Sequence, residues 1–237
     1  MPIIRLDKYI SDCGEATRSE IKRIIKAGRV EVNGLAASAP DMKVDTDTAS
    51  VVLDGRTLIY MTHVYFMLNK PAGLLSATDD VRQKTVIDLF PAELKRRGLF
   101  PVGRLDKDTT GLLLVTDDGE FAHKVISPKS GIIKEYLAET ASPVNDADIA
   151  AFKAGIVLAD GTKCLPADLS LNDDGSCIVR VTEGKYHQVK RMLAACGKPV
   201  TSLKRLKIGG LWLDPALATG QFRQLTADEL CRVMMEK

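Results

Sequence analysis

The clearest guide to the fold is one stretch in the middle of the chain, Gly103-Arg104-Leu105-Asp106-Lys107-Asp108-Thr109-Thr110-Gly111-Leu112-Leu113-Leu114-Val115-Thr116-Asp117-Asp118-Gly119. A charged, turn-prone loop leads here into an apolar run, and an Asp-Gly turn signal follows the run. The apolar run predicts a short buried strand over Leu112–Val115. Asp106 then lies in a loop that enters the core, where a rigid scaffold often supports function. An ordinary solvated acidic loop is the alternative interpretation.

Outward from this stretch, strand-like runs alternate with helical patterns along the rest of the chain. The runs lie at 64–68, 112–116, 132–138, 177–182 and 203–208. Helical segments lie between them, and no internal repeat is visible. This order predicts an α+β protein with flanking helices and a mixed, largely antiparallel central sheet.

The ends of several helices are also marked. Thr17 and Glu20 form a capping box that begins a helix, and Gly28 is placed to end it. The apolar spacing from Val189 to Cys196 indicates a late helix that ends at Gly197. A second capping box, Thr226 with Glu229, begins the last helix.

One face of the helix that begins near Thr17 is basic. At about 100° per residue, its four cations fall in a single sector beside the apolar stripe: Arg18, Lys22, Lys26 and Arg29. Clustering of one sign of charge favours a surface that faces phosphate, although a merely solvated face is the alternative. Val30–Gly34 then reads as a strand that ends in an Asn-Gly hairpin signal.

Composition limits the class of protein. The 237 residues are 45% hydrophobic, which is ample for a packed core. Lys and Arg total 33 against 31 for Asp and Glu, so the overall charge does not argue for nucleic acid. We find no signal peptide and no apolar run of membrane-spanning length, and we expect a cytoplasmic protein without a membrane partner. The 5 cysteines and 3 histidines are scattered, so reduced thiols and no metal site are expected.

Several blocks of sequence carry a resemblance to one family. The motif from Gly103 to Gly119 resembles the central motif of RNA pseudouridine synthases, in the branch of the ribosomal small-subunit enzyme. Further blocks resemble the same branch in the same order: Phe66-Met67-Leu68-Asn69-Lys70-Pro71-Ala72-Gly73, Lys134-Glu135-Tyr136, Glu183-Gly184-Lys185-Tyr186-His187-Gln188-Val189-Lys190-Arg191-Met192 and Ile208-Gly209-Gly210. The resemblance therefore covers nearly the whole chain.

The first 55 or so residues are similar to the small RNA-binding module that a ribosomal small-subunit protein shares with many RNA-modifying enzymes. Arg5-Leu6-Asp7-Lys8-Tyr9 and the segment from Thr17 to Gly34 carry this similarity. We therefore expect an RNA-binding module at residues 1–60 and a pseudouridine synthase catalytic domain at residues 64–237.

The family resemblance implies a reaction and three catalytic residues. Pseudouridine formation needs a carboxylate near sugar and base, a group that manages a ring proton and a cation for the carboxylate. The resemblance implies Asp106, Tyr136 and Lys190 for these roles, with lysine where related enzymes more widely carry arginine. Asp106 adds covalently to the substrate or abstracts a sugar proton, and both schemes remain open. No cofactor is required.

The resemblance also suggests RNA contacts. It implies that Arg104 enters the RNA stack when the target nucleotide is flipped out, and a salt bridge from Arg104 to Asp106 or Asp108 is the alternative. The other residues predicted to contact RNA are Arg5, Lys8, Arg18, Lys22, Lys26, Arg29, Lys70, His187, Gln188 and Arg191.

The substrate implied is ribosomal RNA, with the small subunit favoured by the Lys-Tyr-His-Gln-Val-Lys-Arg-Met form of the late motif. Either the RNA or a ribosomal subunit assembly intermediate is the expected partner, and we expect a monomer. A large-subunit enzyme and a non-catalytic ribosome-assembly factor are the alternatives. A glycosidase is disfavoured because Asp106 and Asp108 are too close in sequence to imply paired catalytic carboxylates.

Overall fold

The computed structural model describes residues 3–235. In chain order its helices and strands are β1 (Ile3–Arg5), α1 (Leu6–Asp12), α2 (Arg18–Lys26), β2 (Val30–Val32), β3 (Leu35–Ala36), β4 (Lys43–Asp45), β5 (Val51–Leu53), β6 (Arg56–Leu58), β7 (Tyr65–Lys70), α3 (Ala92–Lys95), β8 (Phe100–Pro101), β9 (Thr110–Thr116), α4 (Gly119–Ile126), β10 (Lys134–Thr140), α5 (Asp146–Ala154), β11 (Asp168–Leu171), β12 (Cys177–Val181), α6 (Gln188–Ala195), β13 (Val200–Ile208), β14 (Leu211–Trp212), β15 (Phe222–Gln224) and α7 (Ala227–Val233). The chain divides into one unit of Met1–Val64 with Phe90–Leu99 and another of Tyr65–Leu89 with Phe100–Lys237.

The first unit is built from the helices α1, α2 and α3 and from short strands. The capping box of Thr17 and Glu20 is present at the start of α2, which confirms that prediction. Asn33 and Gly34 both have positive φ, as a two-residue hairpin turn requires, and they join β2 to β3. The four-stranded sheet has the order β3-β2-β5-β6, and Tyr9, Ile21 and other apolar residues form its core.

Residues 90–99 group with the first unit, although they lie within the range 64–237 that the sequence predicts as the catalytic domain. Arg96 donates to the carbonyl of Gly14 at 2.9 Å. Arg97 donates to the carbonyls of Asp12 and of Met61. Two side chains from this segment thus bind main-chain oxygens that are distant in sequence, which no local pattern could indicate.

The second unit is organised around a nine-stranded sheet. Its strand order is β11-β12-β10-β13-β9-β7-β15, with β14 beside β13 and β8 beside β9. The pairing of β13 with β9 is parallel, and the other pairings of these strands are antiparallel. The mixed, largely antiparallel sheet with flanking helices confirms the predicted fold class.

Strand β9 lies at the centre of the second unit. Leu112, Leu113, Leu114 and Val115 are each at most 1% exposed, so the strand is buried on both faces. Burial of both faces explains why this run is continuously apolar instead of alternating. The loop that precedes β9, and with it Asp106, is therefore attached to a buried strand.

Helices α5 and α6 cover one core of the second unit, in which Phe152, Val179 and Met192 are fully buried. A second core includes Leu112, Val125 and Val233. Within residues 3–235, no helix has the length and apolar character needed to cross a membrane.

Candidate active site

The loop that carries Asp106 is held by hydrogen bonds to its main-chain atoms. Ser76 Oγ accepts from the amide of Leu105 at 3.1 Å and donates to the carbonyl of Leu105 at 2.9 Å. The amide of Gly73 donates to the carbonyl of Lys107 at 2.7 Å. These bonds fix the backbone on both sides of Asp106.

A buried lysine also supports this loop. Lys70 is 0% exposed, and its Nζ donates to the carbonyls of Pro71, Lys107 and Thr109 at 2.9, 3.2 and 3.0 Å. Burial lowers the pKa of Lys70 to about 8. The sequence suggested Lys70 as an RNA contact, but its ammonium group is occupied by protein carbonyls, so it organises the loop instead.

Asp106 lies between two groups from the start of α6. Lys190 Nζ is 3.3 Å from Asp106 Oδ2 and 2.5 Å from Asp108 Oδ1. His187 Nε2 is 3.3 Å from Asp106 Oδ1. The hydrogen bond from Lys190 lowers the pKa of Asp108. Lys190 is thus shared by two carboxylates, and Asp106 has a side-chain nitrogen beside each of its oxygens.

His187 is held in an unusual conformation. It occupies the N-cap of α6 with φ 48° and ψ 36°, a left-handed conformation that is uncommon outside glycine. Its ring stacks on Tyr186 with centroids 3.9 Å apart, and Tyr186 is exposed. Strained conformations of this kind often occur where a side chain must face a functional group.

Tyr136 reaches the same cleft from β10. Its cross-strand neighbours are Val179 on β12 and Arg205 on β13, and Arg205 Nη1 donates to Tyr136 Oη at 3.4 Å. The cleft has an empty volume of about 430 Å³ and is lined by Arg104, Leu105, Asp106, Thr109, Tyr136, Val181, Glu183, Gly184, Lys185, His187, Gln188, Val189, Lys190 and Leu203. The structure thus brings together all three residues that the resemblance implied for catalysis.

A buried glutamate organises the turn before α6. Glu183 Oε1 accepts from Gln188 Nε2 at 2.7 Å and from the amide of Leu165 at 2.9 Å, and Lys185 pairs with the other oxygen. Gln188 Oε1 in turn accepts from the amide of Lys185 at 2.9 Å. Gln188, suggested as an RNA contact, is therefore buried and occupied by protein groups. Glu183 is the first residue of the late motif, but the sequence alone indicated no role for it.

Two arginines near the cleft differ in whether they form an ion pair. Arg104 is exposed, and no carboxylate among residues 3–235 forms an ion pair with it, so the alternative of a salt bridge to Asp106 or Asp108 is not formed. Arg191 pairs with Asp160 at 2.6 Å. Arg104 is therefore the more available of the two for a ligand.

The basic residues of the first unit also fall into two groups. Arg5, Lys8 and Arg29 pair with Asp7, Asp12 and Asp54. Arg18, Lys22 and Lys26 are exposed on α2 and have no ion pair within the part of the chain that the structure describes. Among those same residues, no cluster of three or more His, Cys, Asp and Glu side chains could hold a metal ion.

Several known proteins are similar to this chain over nearly its whole length. An uncharacterized RNA pseudouridine synthase of Bacillus subtilis is 45% identical over 231 residues, which are 96% of this chain and 97% of the relative. The ribosomal small subunit pseudouridine synthase A of Haemophilus influenzae is 38% identical over 96% of this chain and 98% of its own length. The Salmonella typhimurium protein of that name is 41% identical over 97% of this chain and 100% of its own.

A solved structure and two family profiles complete the comparison. A crystal structure of a pseudouridylate synthase superposes with a TM-score of 0.69 at 38% identity and covers 97% of this chain and 99% of that chain. An S4 domain profile matches residues 4–49. The profile described as RNA pseudouridylate synthase matches residues 64–195, which contain Asp106, Tyr136 and Lys190. This chain therefore belongs to the RNA pseudouridylate synthase family and carries an S4 domain at its start.

Proposed function

We propose that this protein converts a specific uridine of small-subunit ribosomal RNA to pseudouridine, with Asp106 as the catalytic carboxylate. The observation that carries the proposal is the position of Asp106, which lies between Lys190 and His187 in a cleft that Tyr136 also lines. A held carboxylate beside a phenol and a cation meets the needs of this isomerisation.

The reaction breaks the bond between C1′ of ribose and N1 of uracil and forms a bond between C1′ and C5. The ring loses its C5 proton and gains a proton on N1, so atoms and electrons balance without a redox partner. Asp106 either adds to the sugar or removes a sugar proton. Lys190, 3.3 Å away, supplies a positive charge beside the carboxylate in either scheme, and Tyr136 stacks on the base and takes part in its proton transfer.

RNA binding is assigned to two surfaces. We propose residues 1–60 as the RNA-binding module and residues 64–237 as the catalytic domain, and the S4 match at residues 4–49 supports the first assignment. Within the module, the exposed cations Arg18, Lys22 and Lys26 are proposed to face phosphates. In the catalytic domain, exposed Arg104 is proposed to enter the RNA stack as the uridine is flipped.

Small-subunit RNA is favoured because several full-length relatives are named for that substrate. The test is a site-specific pseudouridine map of both ribosomal RNAs from cells with and without this protein. We expect one site to be lost from small-subunit RNA. Loss from large-subunit RNA alone would move the assignment to the alternative substrate, and unchanged maps would remove the proposed function.

The role of Asp106 is tested with Asp106→Asn, which keeps the shape of the side chain and removes its charge. We expect loss of uridine isomerisation with RNA binding largely kept, because the carboxylate supplies chemistry more than affinity. Asp173→Asn, at an exposed position outside the cleft, is the matched control and should keep full activity. Product formation by Asp106→Asn at the parent rate would exclude Asp106 from catalysis.

We further propose that the enzyme works as a cytoplasmic monomer, on ribosomal RNA or on a ribosomal subunit assembly intermediate. The free thiols of the described residues fit a reducing compartment. Sedimentation of the enzyme and a comparison of rates on free RNA and on assembly intermediates would test these points. A faster rate on the intermediate would assign the intermediate as the substrate, and a faster rate on free RNA would assign the free RNA.

A further inference from the structure

Arg205 occupies a central position beneath the cleft. It lies on β13, where its cross-strand neighbours are Tyr136 on β10 and Gly111 on β9. Only 5% of the residue is exposed, and it lies outside the range matched by the pseudouridylate synthase profile. Buried arginines are rare without a specific partner, so its contacts need an explanation.

The guanidinium group connects the two neighbouring strands. Arg205 Nε donates to the carbonyl of Leu112 at 2.7 Å, just beyond Gly111, where the parallel pairing of β9 with β13 ends. Arg205 Nη1 donates to Tyr136 Oη at 3.4 Å, and the guanidinium carbon is 5.9 Å from the centre of the Tyr136 ring. One side chain thus joins the strand that follows the Asp106 loop to the tyrosine of the cleft.

The backbone around Gly111 permits this arrangement. A Cβ atom on Gly111 would lie 2.2 Å from the carbonyl oxygen of Arg205 and 2.9 Å from its amide nitrogen. Gly111 also has a φ of +97°, which favours glycine. Strand β13 can therefore approach β9 closely enough for Arg205 Nε to reach Leu112.

No acid within the described part of the chain balances the charge of Arg205. Among residues 3–235, no carboxylate pairs with it, and its Nη2 has no hydrogen-bond partner. Lys134, on the same face of β10 as Tyr136, is also buried. Burial and the charge of Arg205 together lower the pKa of Lys134 to about 8. Two buried cations without a counter-charge are destabilising, which favours a functional reason for Arg205.

The direction of the hydrogen bond supplies that reason. Arginine has only donors, so Tyr136 Oη must accept from Arg205, and its own proton must point elsewhere. Tyr136 lines the cleft, so that proton can be donated to a ligand in the cleft. The bond therefore restrains the tyrosine ring and keeps the hydroxyl group as the acceptor toward Arg205.

We propose that Arg205 is a positioning residue for Tyr136, which presents the tyrosine hydroxyl to the bound uracil as a hydrogen-bond donor. The proposal rests on the proposed function, because it assumes that Tyr136 faces the target base. It also assigns Gly111 a role, since the close approach of β13 to β9 brings the guanidinium within reach of Leu112.

The test is a double-mutant cycle in single-turnover assays with substrate RNA. Arg205→Met should lower the rate of the chemical step about 30-fold, equivalent to about 2 kcal/mol at 1.36 kcal/mol per tenfold, with RNA affinity changed less than about threefold. In a Tyr136→Phe background, which keeps the ring and removes the hydroxyl, the same substitution should lower the rate less than about threefold. Arg205→Lys, which retains the charge, should restore part of the rate.

A merely structural Arg205 would lower the rate by the same factor in both backgrounds, and that result would overturn the proposal. An unchanged rate in Tyr136→Phe would also overturn it, because the hydroxyl would then do nothing. If Arg205→Met does not fold, Arg205→Lys carries the cycle, and circular dichroism identifies such a case. The parent enzyme is assayed first, so a lack of pseudouridine from the parent would indicate failure of the proposed function instead.

Discussion

Gly111→Ala is expected to destabilise the second unit strongly. Its φ of +97° is strained for alanine, which costs about 1–2 kcal/mol. The new Cβ would lie 2.2 Å from the carbonyl oxygen of Arg205. A main-chain atom cannot turn aside as a flexible side chain can, so β13 must move from β9, at a further cost of about 2–3 kcal/mol. The total is about 3–5 kcal/mol of the free energy of unfolding.

Gly175→Ala is the matched control. Gly175 has a φ of +84°, similar to that of Gly111, but a Cβ there would meet no atom within 4 Å. This variant should therefore lose only the backbone part, about 1–2 kcal/mol. The difference of about 2–3 kcal/mol between the two variants isolates the close approach of β13 to β9.

Urea unfolding followed by tryptophan fluorescence measures both variants. Trp212 is the only tryptophan of the chain, and it lies on β14, which pairs with β13. Its signal therefore reports the unit that contains Gly111, and circular dichroism follows the whole chain. Equal losses of stability in Gly111→Ala and Gly175→Ala would refute the reasoning, because the contact with Arg205 would then contribute nothing.

Three other predictions concern charged groups. Lys190→Met removes the cation 3.3 Å from Asp106 and should lower kcat about 30-fold, because one interaction with a charged group contributes about 2 kcal/mol. Lys190→Arg retains the charge and should keep most of the activity. Equal single-turnover rates for the two variants would contradict the role of Lys190 as the cation for Asp106. Since burial lowers the pKa of Lys134 to about 8, the folded protein loses this proton before the unfolded chain does, and stability should gain about 1 kcal/mol from pH 7 to pH 9. Lys134→Met should lack this gain when the free energy of unfolding is measured with urea at both pH values. The same increase in stability in the variant as in the parent would contradict the role of Lys134. Arg18→Glu with Lys22→Glu should weaken binding to structured RNA and reduce the slope of log affinity against log salt by about 2, whereas an identical salt slope would mean a solvated face.

Several local features could be predicted because short-range rules govern them. The capping box at Thr17 and Glu20 depends on residues three positions apart. The buried strand around Leu112 follows from an apolar run bounded by turn residues. Asp106 was placed in the loop before that strand for the same reason. The family resemblance, carried by ordered motifs, supplied Tyr136 and Lys190 as its companions.

Other features depend on residues that are distant in sequence. Lys70 read as a surface cation near the cleft, yet its ammonium group binds the carbonyl of Thr109, 39 positions away. Gln188 read as an RNA contact, yet the turn formed with Glu183 buries its amide. In both cases a polar side chain satisfies buried main-chain or side-chain groups, and a linear pattern does not show which groups will be buried.

Arg205 illustrates the same division most clearly. Local pattern was enough to predict its strand, because a run of suitable residues favours extended backbone whatever lies beside it. Its function depends on contacts with Leu112 and Tyr136, which lie 93 and 69 positions away. Those contacts exist because Gly111 lets two strands approach closely. Sheet register and the packing of neighbouring strands, which arise only when the whole chain has folded, turn a buried cation into a partner of the candidate active site.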